Sequence, residues 1–221
     1  MSENGWEIEN LCVGKPAKLP DGKRSAIAKA PVEGPVHVSH LGLQGDTQVD
    51  KRHHGGPEMA VHIYPLDHHA FWRDRLDGHP ALDEPGAFGS NVAIAGIDET
   101  QVRIGERFRF GSSVLEIGQP RMPCATIERR FEHSGMIADV LESGRCGWYC
   151  RVVDEGTVSA GDRMVPIAGT GTPRTVRETF MALSQPRSPA DPALLLQLAA
   201  CEALDQLWRD RATAKAARMT S

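Results

Sequence analysis

One cysteine stands apart from the other four. Within residues 119–131, QPRMPCATIERRF, Cys124 lies between a Pro-flanked basic segment and what reads as the first turn of a helix. Cysteines kept for packing sit inside apolar runs, and this one does not. A helix N-terminus offers unpaired backbone N–H groups, and Arg121 adds a full positive charge nearby. Both favour thiolate over thiol, and a thiolate is a nucleophile or a ligand for a soft metal. Cys12 and Cys201 occupy apolar stretches. Cys146 and Cys150 are spaced C-x3-C, which is neither the redox C-x-x-C motif nor a common zinc-knuckle spacing. These four read as structural.

A second dense segment, LGLQGDTQVDKRHHGGPEMAVHIYP at 41–65, sets Lys51, Arg52, His53 and His54 directly before Gly55 and Gly56. Adjacent glycines let the backbone approach a ligand closely and aim N–H groups at an anion. A turn accounts for the glycines but not for the charge in front of them. His62 alternates with Val61 and Ile63 in a strand pattern, so it faces either a half-buried contact or a pocket on the opposite side. His68 and His69 read as solvated helix residues. Both adjacent histidine pairs diverge, and neither H-x-x-x-H nor H-E-x-x-H occurs, which argues against zinc. G-x-S-x-G, P-loop and G-x-G-x-x-G patterns are absent, leaving Ser hydrolase, NTPase and Rossmann readings unsupported.

The elements that must position these residues are mostly strands. Up to about residue 168 the chain is rich in Gly and Pro, with short alternations such as VHVSHL, AVHIY, VRIGERFRF, SVLEI and WYCRVV between turn signals. Such spacing predicts a β-rich sandwich or barrel. Helices interrupt it at PLDHHAFWRDRL, with Pro65 at a first-turn position, and at CATIERRF with SGMIADVLESG, ending at Gly144. IAGTGTPR then reads as a linker. Beyond it TVRETFMALSQ predicts a helix with Thr175 and Glu178 as a capping box, and SPADPALLLQLAACEALDQLWRDRATAKAA supplies one or two more. About fifty residues is small for an independent core, so this appendage is expected to dock on the barrel or on a partner.

With 221 residues, 40% hydrophobic, the chain can bury a substantial core. A net charge of −4 offers no global basic field for nucleic acid or an anionic membrane. Nothing approaches a run of roughly 20 apolar residues, and the first residues lack a basic region followed by an apolar one. Five scattered cysteines do not form a secreted disulfide framework, and the expected location is the cytoplasm.

RSAIAK, LGLQGDTQVDKRHHGGPEMAVHIYP, FGSNV and QPRMPC, in that order, resemble the MOSC domain family in its bacterial YiiM-type branch, linked to resistance against hydroxylaminopurine-type bases. The resemblance covers essentially the whole chain. It implies a mainly β fold: a MOSC-type β-barrel with inserted helices over 1–168, followed by a small three-helix subdomain over 172–221. It also implies molybdenum cofactor (molybdopterin) bound with Cys124 as a sulfur ligand, and chemistry independent of pyridoxal phosphate. Ser25, Lys29, Arg52, His54, Gly55, Gly56, Asn91 and Arg121 match pocket positions for the cofactor. His62 matches a pocket-facing histidine and is expected to pass protons to substrate, its ordinary pKa of about 6.5 suiting that task. The implied reaction is reductive dehydroxylation of N-hydroxylated compounds to amines. Without a flavin or nicotinamide motif, electrons are expected from a separate flavoprotein reductase, for which the helical tail offers a docking surface. An exposed appendage is also compatible with a homodimer. The chain departs from the branch at His53 and at Ser90, where members carry an apolar and an acidic residue respectively. Two alternatives remain open here: a persulfide-carrying sulfur transferase using Cys124 without metal, and a non-enzymatic ligand-binding barrel.

Overall fold

The structure is a computed structural model and describes residues 5–50, 52, 54–185 and 189–219. Its strands are β1 (Trp6–Gly14), β2 (Ala17–Lys18), β3 (Arg24–Ser25), β4 (Lys29–Pro31), β5 (Val36–Ser39), β6 (Gly42–Leu43), β7 (Val61–Pro65), β8 (Val92–Ile94), β9 (Arg107–Phe110), β10 (Ser113–Pro120), β11 (Trp148–Asp154), β12 (Gly156–Val158) and β13 (Arg163–Pro166). The helices are α1 (His68–Arg75), α2 (Ala125–Arg130), α3 (Met136–Ser143), α4 (Val176–Leu183), α5 (Pro192–Ala199) and α6 (Gln206–Met219).

Seven strands form a closed barrel in the order β13-β9-β10-β11-β7-β8-β1, and β1 pairs back onto β13 through Trp6↔Met164 and Glu7↔Arg163. The expected mainly β barrel is thus present. Alternation explains the strands: in Arg107–Phe110 the arginines are exposed and both phenylalanines buried. Every barrel pairing is antiparallel except β7 with β8, matched at Ile63↔Val92. A parallel pair needs a long crossover, and α1 with the 3₁₀ turn Pro80–Asp83 lies in it.

Pro65 ends β7, opposite Ile94, instead of opening a helix, and α1 begins at His68 after Asp67. His68 and His69 are buried, not solvated. With Trp72 they form the inward stripe of α1 at i, i+1 and i+4. His68 Nε2 lies 2.7 Å from Glu99 Oε2, and Glu99 Oε1 accepts the Gly147 N–H at 2.6 Å. His69 Nδ1 sits 3.0 Å from the Leu82 carbonyl. Partners distant in sequence make burial of these rings affordable, which the local pattern does not reveal.

The expected capping box exists: Thr175 Oγ1 accepts the Glu178 N–H at 3.1 Å and Glu178 Oε2 accepts the Thr175 N–H at 2.8 Å. Gly144 closes α3 in the left-handed region at φ 64°. Residues 167–174 lie along the barrel, with Thr172 N–H on the Ile104 carbonyl at 2.8 Å and Ile104 N–H on the Arg174 carbonyl at 3.1 Å. Val176, Phe180, Leu183, Leu195, Leu198 and Trp208 are buried in the same apolar cluster as the barrel interior. The helical tail therefore docks on the barrel.

Candidate functional site

A cleft of about 770 Å³, counting space open to solvent, opens between the 24–29 segment, residues 47–50 with His54 and Gly55, and the start of α2. Cys124 is the N-cap of α2, in extended conformation at φ −134°, ψ 166°, which turns its side chain off the helix and into the cleft. His54 Nε2 lies 3.9 Å from Cys124 Sγ. Burial by itself would raise the thiol. The His54 hydrogen bond, the Arg121 charge and the Thr126 backbone N–H together outweigh it and bring Cys124 down to about 6. Reciprocally, the hydrogen bond to Cys124 raises His54, against the opposing effects of burial and Arg121. The pair therefore favours thiolate with imidazolium near neutrality.

Burial lifts three of the other thiols instead: Cys12 is pushed to about 12, and Cys146 and Cys150 also go up. The structural reading of those three holds.

Arg121 is 5% exposed and enters no ion pair among the described residues. Its backbone N–H is anchored on the Gly147 carbonyl at 3.1 Å, and its charge acts on the Tyr149 phenol across the same cleft. A buried cation without a carboxylate is costly unless an anion or a polar cage receives it. Surrounding protein pushes the Tyr149 phenol up, with Arg121 opposing, and the ring packs 4.8 Å from that of His62.

The second cation of the cleft is neutralised. Lys29 Nζ lies 2.6 Å from Asp46 Oδ2, both side chains being less than a tenth exposed. Burial lowers Lys29 and Asp46 opposes that shift. Asp46 also accepts the Gly14 N–H at 2.7 Å and Asn91 Nδ2 at 2.9 Å. Asn91 Nδ2 donates as well to the Cys12 carbonyl at 3.2 Å, and its Oδ1 accepts the His62 N–H at 3.0 Å. Lys29 and Asn91 thus line the cleft as a tied framework whose polar atoms are already largely committed.

Ser25, Lys29, His54, Gly55, His62, Asn91, Arg121 and Cys124 converge on the cleft. Arg52 and Gly56 do not line it. Arg52 is exposed, its N–H held by Asp50 Oδ1 at 3.0 Å, and Gly56 leads outward into the 3₁₀ turn Pro57–Met59. Gly55, at φ 83°, packs so closely that an added Cβ would meet Gln48 Oε1 at 2.9 Å. Lys51 and His53 lie outside the described residues.

His62 is 2% exposed. Burial, with Arg121 assisting, holds it well below the usual histidine value, so the ring is neutral near pH 7 rather than poised to ionise. Nδ1 lies 3.1 Å from the Gly89 carbonyl, which makes Nδ1 the protonated nitrogen. Asp46 and Tyr149 escaped the sequence reading. A Gly-Asp turn signal marks the first, and only the strand pairing Tyr149↔His62 reveals the second.

A family model described as the MOSC domain matches residues 50–165. "Protein YiiM" of Escherichia coli (strain K12) is 36% identical over 151 residues, covering 68% of this chain and 67% of that protein. A protein named "Reductase" from Gibberella moniliformis is 37% identical over 139 residues, 62% of this chain but only 25% of that protein. The crystal structure of YiiM from Geobacillus stearothermophilus superposes with a TM-score of 0.75 at 25% identity, covering 95% of this chain and 98% of that one.

Proposed function

Because the chain belongs to the MOSC domain family, we propose that it is a molybdenum-cofactor-dependent reductase of N-hydroxylated compounds, hydroxylaminopurine-type bases above all, serving detoxification in the cytoplasm. The observation that supports this most directly is the Cys124 thiolate paired with His54, beside a buried Arg121 that no carboxylate among the described residues pairs with, in one cleft.

The donor set fits that cofactor. Among the described residues no group of three or more His, Cys, Asp and Glu is placed to hold a bare metal ion. A metal arriving with its own dithiolene sulfurs asks the protein for one soft donor and one anion site. Cys124 supplies the donor, and Arg121 supplies the anion site, with Arg24, Ser25 and Gly55 around it. When bound, the cofactor supplies two-electron oxygen-atom chemistry, so that R–NHOH with two electrons and two protons leaves as R–NH2 and water.

The chain's own residues hold and protonate. Cys124 serves as ligand, and the His54 imidazolium keeps it ionised while offering a proton at Nε2. That assigns proton delivery to His54 rather than to His62, whose neutral ring keeps its proton on the Gly89 carbonyl. Phe88, Ile27 and Met59 give the cleft an apolar wall for a flat heterocycle. Electrons come from a separate flavoprotein reductase. The reductase-named relative, in which the aligned part is a quarter of a longer chain, supports such a division of labour. Among the described residues no helix is long and apolar enough to cross a membrane.

Elemental analysis of protein made in a host that synthesises the cofactor tests the proposal, with Cys124→Ser alongside. Near-stoichiometric molybdenum in the parent, lost in the variant, is the expected result. Absence of molybdenum from both would overturn it and favour persulfide carriage, for which the same ionised thiol is suited.

A further inference from the structure

We propose that the C-terminal helices brace the cysteine site from behind: Trp208 of α6, acting through Gln119, fixes both segments that bring Cys124 and His54 together. The helices thereby act inside the molecule, whatever else their outer surface meets. The proposal stands independently of which cofactor occupies the cleft.

Gln119 is the centre of the link. It is 2% exposed near the end of β10, and its side chain reaches two remote elements. Its Oε1 accepts Trp208 Nε1–H at 3.0 Å, and its Nε2 donates to the Glu58 carbonyl at 3.1 Å. The orientation of the amide is decided by chemistry. An indole N–H can only donate and a backbone carbonyl can only accept, so a flipped amide would lose both bonds. Trp208 is itself 1% exposed and packs beside Phe180 of α4 at 6.3 Å between ring centroids.

The same turn of the tail ties down the neighbourhood at two more points. Asp205 N–H donates to the Gly118 carbonyl at 3.0 Å, and Arg151 Nη1 donates to the Ala203 carbonyl at 3.0 Å. Arg151 also pairs with Glu58 and, at 2.6 Å, with Glu116 Oε1. The tail thus grips the end of β10 on one side and the 3₁₀ turn Pro57–Met59 on the other.

Both gripped points run directly into the site. From Gln119 the chain passes through Pro120 and then residues 121–124, which belong to no strand or helix, before Cys124 caps α2. Among the described residues that stretch is held to a remote segment by Arg121 N–H on the Gly147 carbonyl, and the Cys124 carbonyl accepts the Ile127 N–H locally. From the Pro57–Met59 turn the chain runs back through Gly56 and Gly55, both at φ 83°, to His54. Two loops with little regular pairing of their own therefore meet at a 3.9 Å sulfur–nitrogen contact, and the Gln119 amide joins their roots. Trp208 and Gln119 are positioning residues, since neither lines the cleft.

The test follows alkylation of Cys124 by iodoacetamide in the full-length chain free of cofactor, quantified on the Cys124 peptide at pH 8, with thermal midpoints measured in parallel. Trp208→Phe keeps the ring and removes the donor; Gln119→Met removes the amide from the barrel side and serves if the first variant folds poorly. Each is expected to raise the Cys124 rate roughly fivefold, the factor that one typical hydrogen bond is worth in holding a segment closed. The double variant should exceed neither single, because both cut one link. Thr175→Ala, at the cap of α4, loosens the tail away from the link and is expected to lower the thermal midpoint while leaving the rate unchanged. An unchanged rate in both single variants would overturn the proposal. So would additive effects, or a Thr175→Ala rate rise matching that of Trp208→Phe.

Discussion

Replacing His54 by Asn tests how the cleft ionises Cys124. With its thiol at about 6, Cys124 is about 90% thiolate at pH 7. The causes that lower it include the His54 hydrogen bond and charge, and burial is the largest effect opposing them. Without His54, burial regains ground and the thiol returns to the ordinary range near 9, so about 1% is ionised at pH 7. The thiolate fraction then falls about 90-fold. A more basic thiolate is also a better nucleophile, by about 16- to 32-fold over three pK units at a Brønsted slope of about 0.4–0.5. The two effects nearly cancel, and the rate at pH 7 should drop only about three- to sixfold. The position of the inflection is therefore the decisive observable. Iodoacetamide alkylation of Cys124 in cofactor-free protein, followed from pH 5 to 10, should rise through pH 6 in the parent and through about 9 in His54→Asn. The sign follows from linkage: the thiolate is lost as pH falls through the folded-state value. A parent inflection near 8–9, or a His54→Asn profile within half a unit of the parent, would refute the ion-pair reasoning.

Two stability predictions accompany it. Asp46→Asn leaves Lys29 as a buried ammonium without its carboxylate and should destabilise the chain by about 3–5 kcal/mol in denaturant unfolding; a loss below about 1 kcal/mol would show Lys29 to be compensated elsewhere. Thr175→Ala removes the cap of α4 and should cost about 1 kcal/mol, visible as a small fall in thermal midpoint without change in Cys124 alkylation.

What the sequence discloses follows from how far apart the partners are. The capping box spans Thr175 and Glu178, and the odd placement of Cys124 is visible within the residues around it. Both are local and both are found where expected. The strand-rich body and its docked helical tail are also legible, because alternation and helical periodicity are short-range patterns. The buried histidines are not. His68 looks solvated until Glu99 arrives from another segment, and burial with Arg121 nearby removes from His62 the ionisation its residue type suggests. Arg52 shows the converse: a basic residue beside two glycines suggests anion binding, yet the Gly55–Gly56 turn directs the cleft toward His54 and leaves Arg52 outside. That Arg121 is buried without a carboxylate ion pair among the described residues is likewise a property of three-dimensional neighbours alone.

The seam between β1 and β13 has a consequence for how the protein comes into being. Trp6 finds Met164 only after nearly the whole barrel sequence exists. A chain growing from its N-terminus must hold β1 with one flank open throughout synthesis of the other strands, its N–H and C=O groups available to any passing strand. Closure of so distant a pair is slow, and misassociation competes with it for that time. Refolding yield should therefore fall with protein concentration, and a nascent chain halted before Arg163 should bind chaperones that the full 221-residue chain escapes.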